Sequence, residues 1–255
     1  MIEKDSNKAK ILEQNKNSWD AMADTWFGST ALPCYGCLVP SEEELQLFPD
    51  LSGKKVLDIG CGSGHSLKWC KEQGAEEIWG LDMSSRQIEN ARACLTQAGY
   101  EPHLFNAPME TDCGLPTEYF DVVYSIYALG WTVDLNTTIN RISSCLKSGG
   151  ILIFSWDHPL MRCIDTEGET LVLKGSYLDE NAFSYIQRGN PVTIHNHKMS
   201  GWINALAGAG FKVEKLIEET DSETLSQECD FSASYYSPFR AKKIPLSFII
   251  KAVKL

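Results

Sequence analysis

The chain has 255 residues, 43% of them hydrophobic, and a formal net charge of −11 at pH 7. That length supports one large core, or one core with a small appended lid. The charge argues against a dedicated nucleic-acid partner, because phosphate backbones demand a basic face and no Lys/Arg run supplies one. Residues 1–10 are polar and lack the apolar region of a signal peptide. No apolar stretch is long enough to span a bilayer, so stable membrane insertion is not expected. The nine cysteines are odd in number and scattered through apparent strands and helices. This fits reduced thiols in a cytoplasmic protein better than a disulfide framework.

Residues 6–26 read as an amphipathic helix ending in Trp19, Asp20, Ala21, Ala23 and Trp26. A turn-rich loop follows through Pro33 and Pro40. Cys34 and Cys37 form a C-x-x-C within it, in a Pro-Cys-Tyr-Gly-Cys turn. A zinc site needs a second ligand pair, and a redox motif follows a strand and opens a helix. Neither condition is met, so the pair reads as structural and no metal is expected. Ser41 with Glu44 three residues on is a capping box for a short helix.

After Gly53 a strand–helix alternation begins. Strands are expected at 55–59, 77–81, 102–105, 120–126 and 151–156. Helices fall at 66–73, stopped by Gly74, at 84–98, stopped by Gly99, and at 134–146, with Gly149-Gly150 turning the last into its strand. Between residues 157 and 198 the pattern lapses, and this stretch reads as a lid or substrate-recognition insert. A helix at 199–209, a strand at 211–217 and a closing strand at 246–253 complete the chain. Alternation at this pitch predicts an α/β fold: right-handed crossovers and a parallel sheet covered on both sides. Ligands then lie outside the carboxyl ends of the strands.

The most informative stretch is Val56-Leu57-Asp58-Ile59-Gly60-Cys61-Gly62-Ser63-Gly64. A buried-strand pattern ends near an acid, and three alternating glycines lead into a helix. Glycines permit a tight turn and the close approach of a ligand to the backbone. The next strand ends in Asp82, at the ribose-binding spacing of nucleotide folds. A dinucleotide fingerprint wants Gly-x-Gly-x-x-Gly, but His65 holds the sixth position. Asp58 would also repel a pyrophosphate, whereas it suits a ligand with a cationic group, such as the amino end of a methionine moiety.

These residues resemble motif I of the class I S-adenosylmethionine-dependent methyltransferases, and other segments extend the likeness. Gly80-Leu81-Asp82-Met83-Ser84 looks like the second acidic position, which holds both ribose hydroxyls. Asn106-Ala107-Pro108-Met109-Glu110 occupies the adenine-contacting loop, with Pro108 where the family often has Asp. Phe120-Asp121-Val122-Val123-Tyr124-Ser125 resembles the strand whose end faces the sulfonium, and Leu146-Lys147-Ser148-Gly149-Gly150 resembles the turn before the fifth strand. Trp19-Asp20-x-x-Ala23-Asp24-x-Trp26 is similar to the N-terminal cap of ubiquinone-biosynthesis-like small-molecule methyltransferases. Phe154-Ser155-Trp156-Asp157-His158-Pro159 and His195-Asn196-His197-Lys198-Met199-Ser200 resemble further segments of a small-molecule subgroup.

The resemblance implies a Rossmann-like α/β fold, a seven-stranded, mostly parallel sheet with helices on both faces, in a single domain over residues 1–255. Residues 1–50 would form the cap, 51–156 the cofactor-binding core, 157–198 the lid and 199–255 the C-terminal helix and strands. It implies S-adenosyl-L-methionine as cofactor, S-adenosyl-L-homocysteine as product and a small-molecule substrate. The implied cofactor residues are Trp26, Asp58, Gly60, Cys61, Gly62, Ser63, Asp82, Met83, Met109, Glu110, Ser125 and Ile126.

Methyl transfer is an in-line displacement, and some acceptors must lose a proton first. Candidate bases are His158, Asp157, His195 and His197. His158 is preferred, because it follows a buried strand at the ligand edge and titrates near neutrality. Trp131, His195 and His197 are taken as substrate-facing. Trp19, Trp26 and Trp131 suit the wall of a sulfonium pocket. Two other functions compete: a nicotinamide-dependent oxidoreductase, opposed by Asp58 and the displaced glycine, and a catalytically silent cofactor-binding sensor.

Overall fold

The computed structural model describes residues 2–255, and side chains from Asn7 onward; Met1, at the head of the polar N-terminal stretch, lies outside the described residues. The chain opens with helix α1 (Ile2–Met22) and a 3-10 turn at Ala23–Trp26, then a short helix α2 (Glu42–Leu45) opened by the expected capping box. Strands β1 (Lys55–Ile59), β2 (Glu77–Asp82), β3 (His103–Asn106), β4 (Phe120–Ile126) and β5 (Leu146–Asp157) follow, separated by α3 (His65–Glu72), α4 (Ser85–Gln97) and α5 (Leu135–Cys145). Next come β6 (Ala182–Gln187), β7 (Asn190–His195), α6 (Met199–Gly208), β8 (Phe211–Ile217), α7 (Ser222–Ser226), α8 (Pro238–Ala241) and β9 (Ser247–Lys254).

Seven strands pair in the order β3-β2-β1-β4-β5-β9-β8. The first five are mutually parallel, and β9 runs antiparallel to both β5 and β8. Side chains that alternate along β4 divide the core in two. Val123 packs with Leu57, Ile139, Phe154, Trp202 and Leu206 under α5 and α6. Val122 and Tyr124 pack with Val56, Leu67, Ile88, Leu95 and Ile153 under α3 and α4. Both faces of the central strands are thus covered, which is why their sequences are apolar runs rather than alternations. No described helix is long and apolar enough to cross a membrane.

Two segments differ from expectation. The turn at Gly149-Gly150 lies inside β5, not before it. Phe120 pairs with Leu146 and Val122 with Ile151, so residues 147–150 bulge out of the ladder. Residues 157–198 are more regular than a lapse of pattern implies. They hold a 3-10 turn at Pro159–Arg162 and the antiparallel hairpin β6–β7. Arg188 and Gly189 take φ of 47° and 82° at its tip, the positive-φ pair of a tight two-residue turn. The hairpin docks on α1: Asn15 Nδ2 donates to the Thr193 carbonyl at 2.7 Å, and the Thr193 N–H donates to Asn15 Oδ1 at 2.8 Å. Arg188 reaches back to donate to the Thr25 carbonyl and lies 4.2 Å from the centre of the Trp26 ring.

Candidate active site

A cavity opens at the carboxyl ends of β1, β2, β4 and β5, roofed by α1 and the hairpin. Its empty space is about 1400 Å³ including the open mouth.

The glycine bend forms one wall. Gly60 has φ of 76°, and a Cβ added there would lie 2.2 Å from the Ala128 Cβ. Only glycine fits that approach. The Gly60 and Cys61 N–H groups donate to the Leu81 carbonyl, and the Gly62 N–H donates to Asp82 Oδ2 at 2.9 Å. Asp82 Oδ1 accepts from the Ser84 N–H at 2.8 Å. Burial pushes the Asp82 carboxyl up to about 6, against these two N–H groups that hold it down. Each oxygen accepts one hydrogen bond and keeps lone pairs unused, and Asp82 lines the cavity.

Asp58, on β1, is 2% exposed, and its Oδ1 has no hydrogen-bond partner among the described residues. Burial drives its carboxyl well above the ordinary carboxylate range, and the Asp82 charge adds to the rise. A buried carboxylate oxygen without a donor is costly, and Asp58 lines the cavity. Ser63 holds the bend against the cap, its Oγ accepting from the Gly28 N–H at 3.0 Å.

Met83, Ala107, Met109 and Glu110 line the cavity beside Asp82. Asn106 stays outside it and shapes the loop, donating to the carbonyls of Asp82 and Met83. Glu110 Oε1 accepts from the Thr132 hydroxyl and the Val133 N–H, both at 2.7 Å. Trp19, Trp26 and Trp131 all reach the cavity; Trp19 stands edge-on to Trp131 with ring centres 5.1 Å apart. Cys37, of the C-x-x-C, lines it too, with its thiol pushed up by burial.

Of the expected cofactor residues, all but Ser125 border this cavity. Ser125 is fully buried and donates its hydroxyl to the Ile59 carbonyl at 2.7 Å, stitching β4 to β1. His158 is also corrected. Its ring turns toward the far side of β9, where Nε2 meets Glu218 Oε1 at 2.7 Å and Nδ1 accepts from the Leu160 N–H. Burial lowers its pKa and Glu218 partly opposes this. It therefore caps the Pro159–Arg162 turn and does not border the cavity. His195 and His197 do share a face, their rings stacked with centres 6.5 Å apart. Neither lines the cavity. Burial and the neighbouring His195 lower His197 to about 4, so it is neutral.

Residues absent from the expected set line the cavity instead: Tyr127, Trp156, Arg162, Tyr185, Gln187 and Tyr236, along with Asp157, weighed above as a base. Asp157 Oδ1 accepts from the Tyr236 hydroxyl and Oδ2 from Arg162 Nη2 at 3.1 Å. Tyr185 and Gln187 come from β6, whose alternation of inward Phe183, Tyr185 and Gln187 with exposed Ala182, Ser184 and Ile186 is legible as a strand.

Comparison with known proteins agrees with this geometry. A family model described as a methyltransferase domain matches residues 57–154. An uncharacterised protein of Haemophilus influenzae is 31% identical over 186 residues, covering 68% of this chain and 73% of that protein. The malonyl-[acyl-carrier protein] O-methyltransferase of Salmonella typhimurium is 26% identical over 204 residues, covering 76% of this chain and 78% of the relative. Among solved structures, an S-adenosylmethionine-dependent methyltransferase of Mesorhizobium loti shares the fold with a TM-score of 0.67 at 23% identity, over 82% of this chain and 95% of that one. The seven-stranded sheet, the glycine bend with its following acid and these matches lead to one conclusion: the chain belongs to the S-adenosylmethionine-dependent methyltransferase family.

Proposed function

We propose that the cavity binds S-adenosylmethionine through the residues of its glycine bend and second strand, and that the protein methylates a small molecule beside it. The observation that carries the reading is the partnerless, buried Oδ1 of Asp58. An ammonium group fits there, because it supplies that oxygen with a donor and the carboxylate with a counter-charge. Gly60, Cys61, Gly62 and Ser63 bring the backbone within reach of the same end of the ligand. Asp82 accepts from the two vicinal ribose hydroxyls on the lone pairs left free by Gly62 and Ser84. Met83, Met109 and Glu110 flank the purine, while Trp26, Ile126 and Trp131 surround the cationic centre with apolar and aromatic surface.

When bound, the donor supplies an electrophilic methyl group. The protein's part is to orient that group toward the acceptor and to exclude water, which the α1–hairpin roof favours. A small acceptor accords with the enclosed cavity, and the Salmonella relative is named for O-methylation. The acidic net charge supports a reading without a nucleic-acid partner, and the free thiols support a cytoplasmic location. We read the whole chain as one catalytic unit, with residues 51–156 as the donor-binding core, 1–50 as cap and 157–198 as acceptor insert.

Isothermal titration calorimetry tests the reading. S-adenosylhomocysteine is expected to bind, with at least a tenfold loss of affinity in Asp82→Ala; NADH is expected to leave the intrinsic tryptophan fluorescence unchanged. The absence of S-adenosylhomocysteine binding, or saturable binding of NADH in its place, refutes it.

A further inference from the structure

The residues assigned to the donor leave one part of the cavity wall unused: Asp157, Arg162, Tyr185 and Tyr236. Among the described residues, Arg162 is the single Lys or Arg on the wall of this cavity. Its guanidinium is held among aromatic rings, 4.9 Å from the centre of Phe183, 5.5 Å from Tyr185 and 5.4 Å from Tyr235. A guanidinium has five donors, and the contact with Asp157 uses one. Asp157 is 7% exposed, and each of its oxygens accepts one hydrogen bond, from Tyr236 and from Arg162. A carboxylate offers about four lone-pair sites, so each oxygen has room for another donor.

Building on the methyltransferase reading above, we infer that Asp157 is the general base, and Arg162 the oxyanion partner, for an acceptor that presents a phenolic hydroxyl. The choice follows from charge. A carboxylate acceptor would meet the Asp157 carboxylate, and an ammonium would meet Arg162. A hydroxyl is neutral on arrival, donates to Asp157, and accepts from Arg162 once its proton has gone. A flat ring suits the surrounding walls, where Trp131 and Trp156 stand edge-on at 5.8 Å, and Tyr127 tilts against Trp156 at 5.7 Å.

The step balances as follows. The acceptor O–H bond breaks and its proton passes to Asp157. The oxygen's electron pair forms the new O–CH₃ bond, and the broken C–S pair stays on sulfur, leaving a neutral thioether and an ether. Asp157 then returns the proton to water. The groups facing Asp157 are Arg162 from the 3-10 turn, Tyr127 after β4, Cys37 from the N-terminal loop, Tyr185 from β6, and Tyr235 and Tyr236 before α8. Burial raises the Asp157 carboxyl above the ordinary carboxylate range, and Arg162, Tyr236 and Tyr127 oppose the rise.

The test uses the full-length protein and a series of substituted phenols graded in acidity, with carboxylic acids and amines of matched size. Wild-type turnover is expected with phenols alone. Asp157→Asn is expected to lose about a hundredfold or more in kcat/KM on unsubstituted phenol, and the loss should vanish toward 4-nitrophenol assayed where it is already ionised. A separate readout needs no turnover: 4-nitrophenol bound to the S-adenosylhomocysteine complex should show its phenolate absorbance at lower pH than free in buffer, and Arg162→Gln should abolish that displacement. An equal loss for Asp157→Asn across the series, turnover confined to acids or amines, or no turnover with any phenol in protein that binds S-adenosylhomocysteine normally overturns the inference alone. Failure to bind S-adenosylhomocysteine overturns the earlier reading with it.

Discussion

Asp58→Asn separates stability from binding, because the two should move in opposite directions. The carboxyl lies 2% exposed with a partnerless Oδ1, and its pKa stands well above the ordinary range through burial and the Asp82 charge. The folded protein without ligand therefore holds the Asp58 proton more tightly than the unfolded chain does. By linkage, stability is fully present below the unfolded carboxylate pKa and is lost as pH rises toward the folded value. Asparagine has the same shape and carries no charge, so it escapes that loss. Relief of a buried unsatisfied charge is worth about 1 kcal/mol or more, or ~2–4 °C in melting temperature for a domain of this size. The gap between variant and wild type should widen from pH 5 to pH 8. Ligand affinity should fall, because a charge-assisted hydrogen bond of about 1.5–3 kcal/mol is lost, which is about ten- to a hundredfold in Kd. Differential scanning calorimetry without ligand and titration calorimetry with S-adenosylhomocysteine measure the two effects. A variant that melts lower than wild type and binds with unchanged affinity refutes the role given to Asp58.

Three further outcomes are expected. Gly60→Ala places a methyl 2.2 Å from the Ala128 Cβ at φ of 76°, so it should destabilise by about 1–3 kcal/mol or more and abolish S-adenosylhomocysteine binding in the same calorimeter. His158→Ala should cost about 1 kcal/mol by removing the cap on the Pro159–Arg162 turn, measured by urea denaturation, while the Kd for S-adenosylhomocysteine stays within a factor of two of wild type; a tenfold loss would return His158 to the binding site. Asp82 is held at about 6, and only its ionised form accepts from both ribose hydroxyls. Affinity should therefore be level above pH 7 and fall about tenfold for each unit below that pKa; a flat profile down to pH 5 contradicts the assignment.

The glycine bend and the wall around it were legible because local physics fixes them. Gly60, Gly62 and the acids of β1 and β2 act through backbone conformation and through spacing set by strand and helix length. The alternation of apolar strands with capped helices carried the sheet in the same way. The opposite wall of the cavity was not legible, because its geometry depends on partners far along the chain. His158 looked like a base at a strand end, but Glu218, sixty residues on, draws its ring away. Ser125 closes on the Ile59 carbonyl of a neighbouring strand. Arg162 and Tyr236 gain meaning only when Asp157 lies between them. The β6–β7 hairpin has a strand's alternation, yet an isolated two-stranded ribbon is marginal by itself. The missing support is Asn15 on α1, which pairs with Thr193 across 178 residues.

That pairing bears on how such a protein diversifies. Asn15 and its partner grip the ribbon by the main chain, so the grip is indifferent to which residues decorate the inner side of β6. Tyr185 and Gln187 can thus be exchanged, one at a time, while the clasp stays shut and the glycine bend is left untouched. The changeable lining and the fixed bend sit on separate parts of the chain, so the first can vary while the second is left alone.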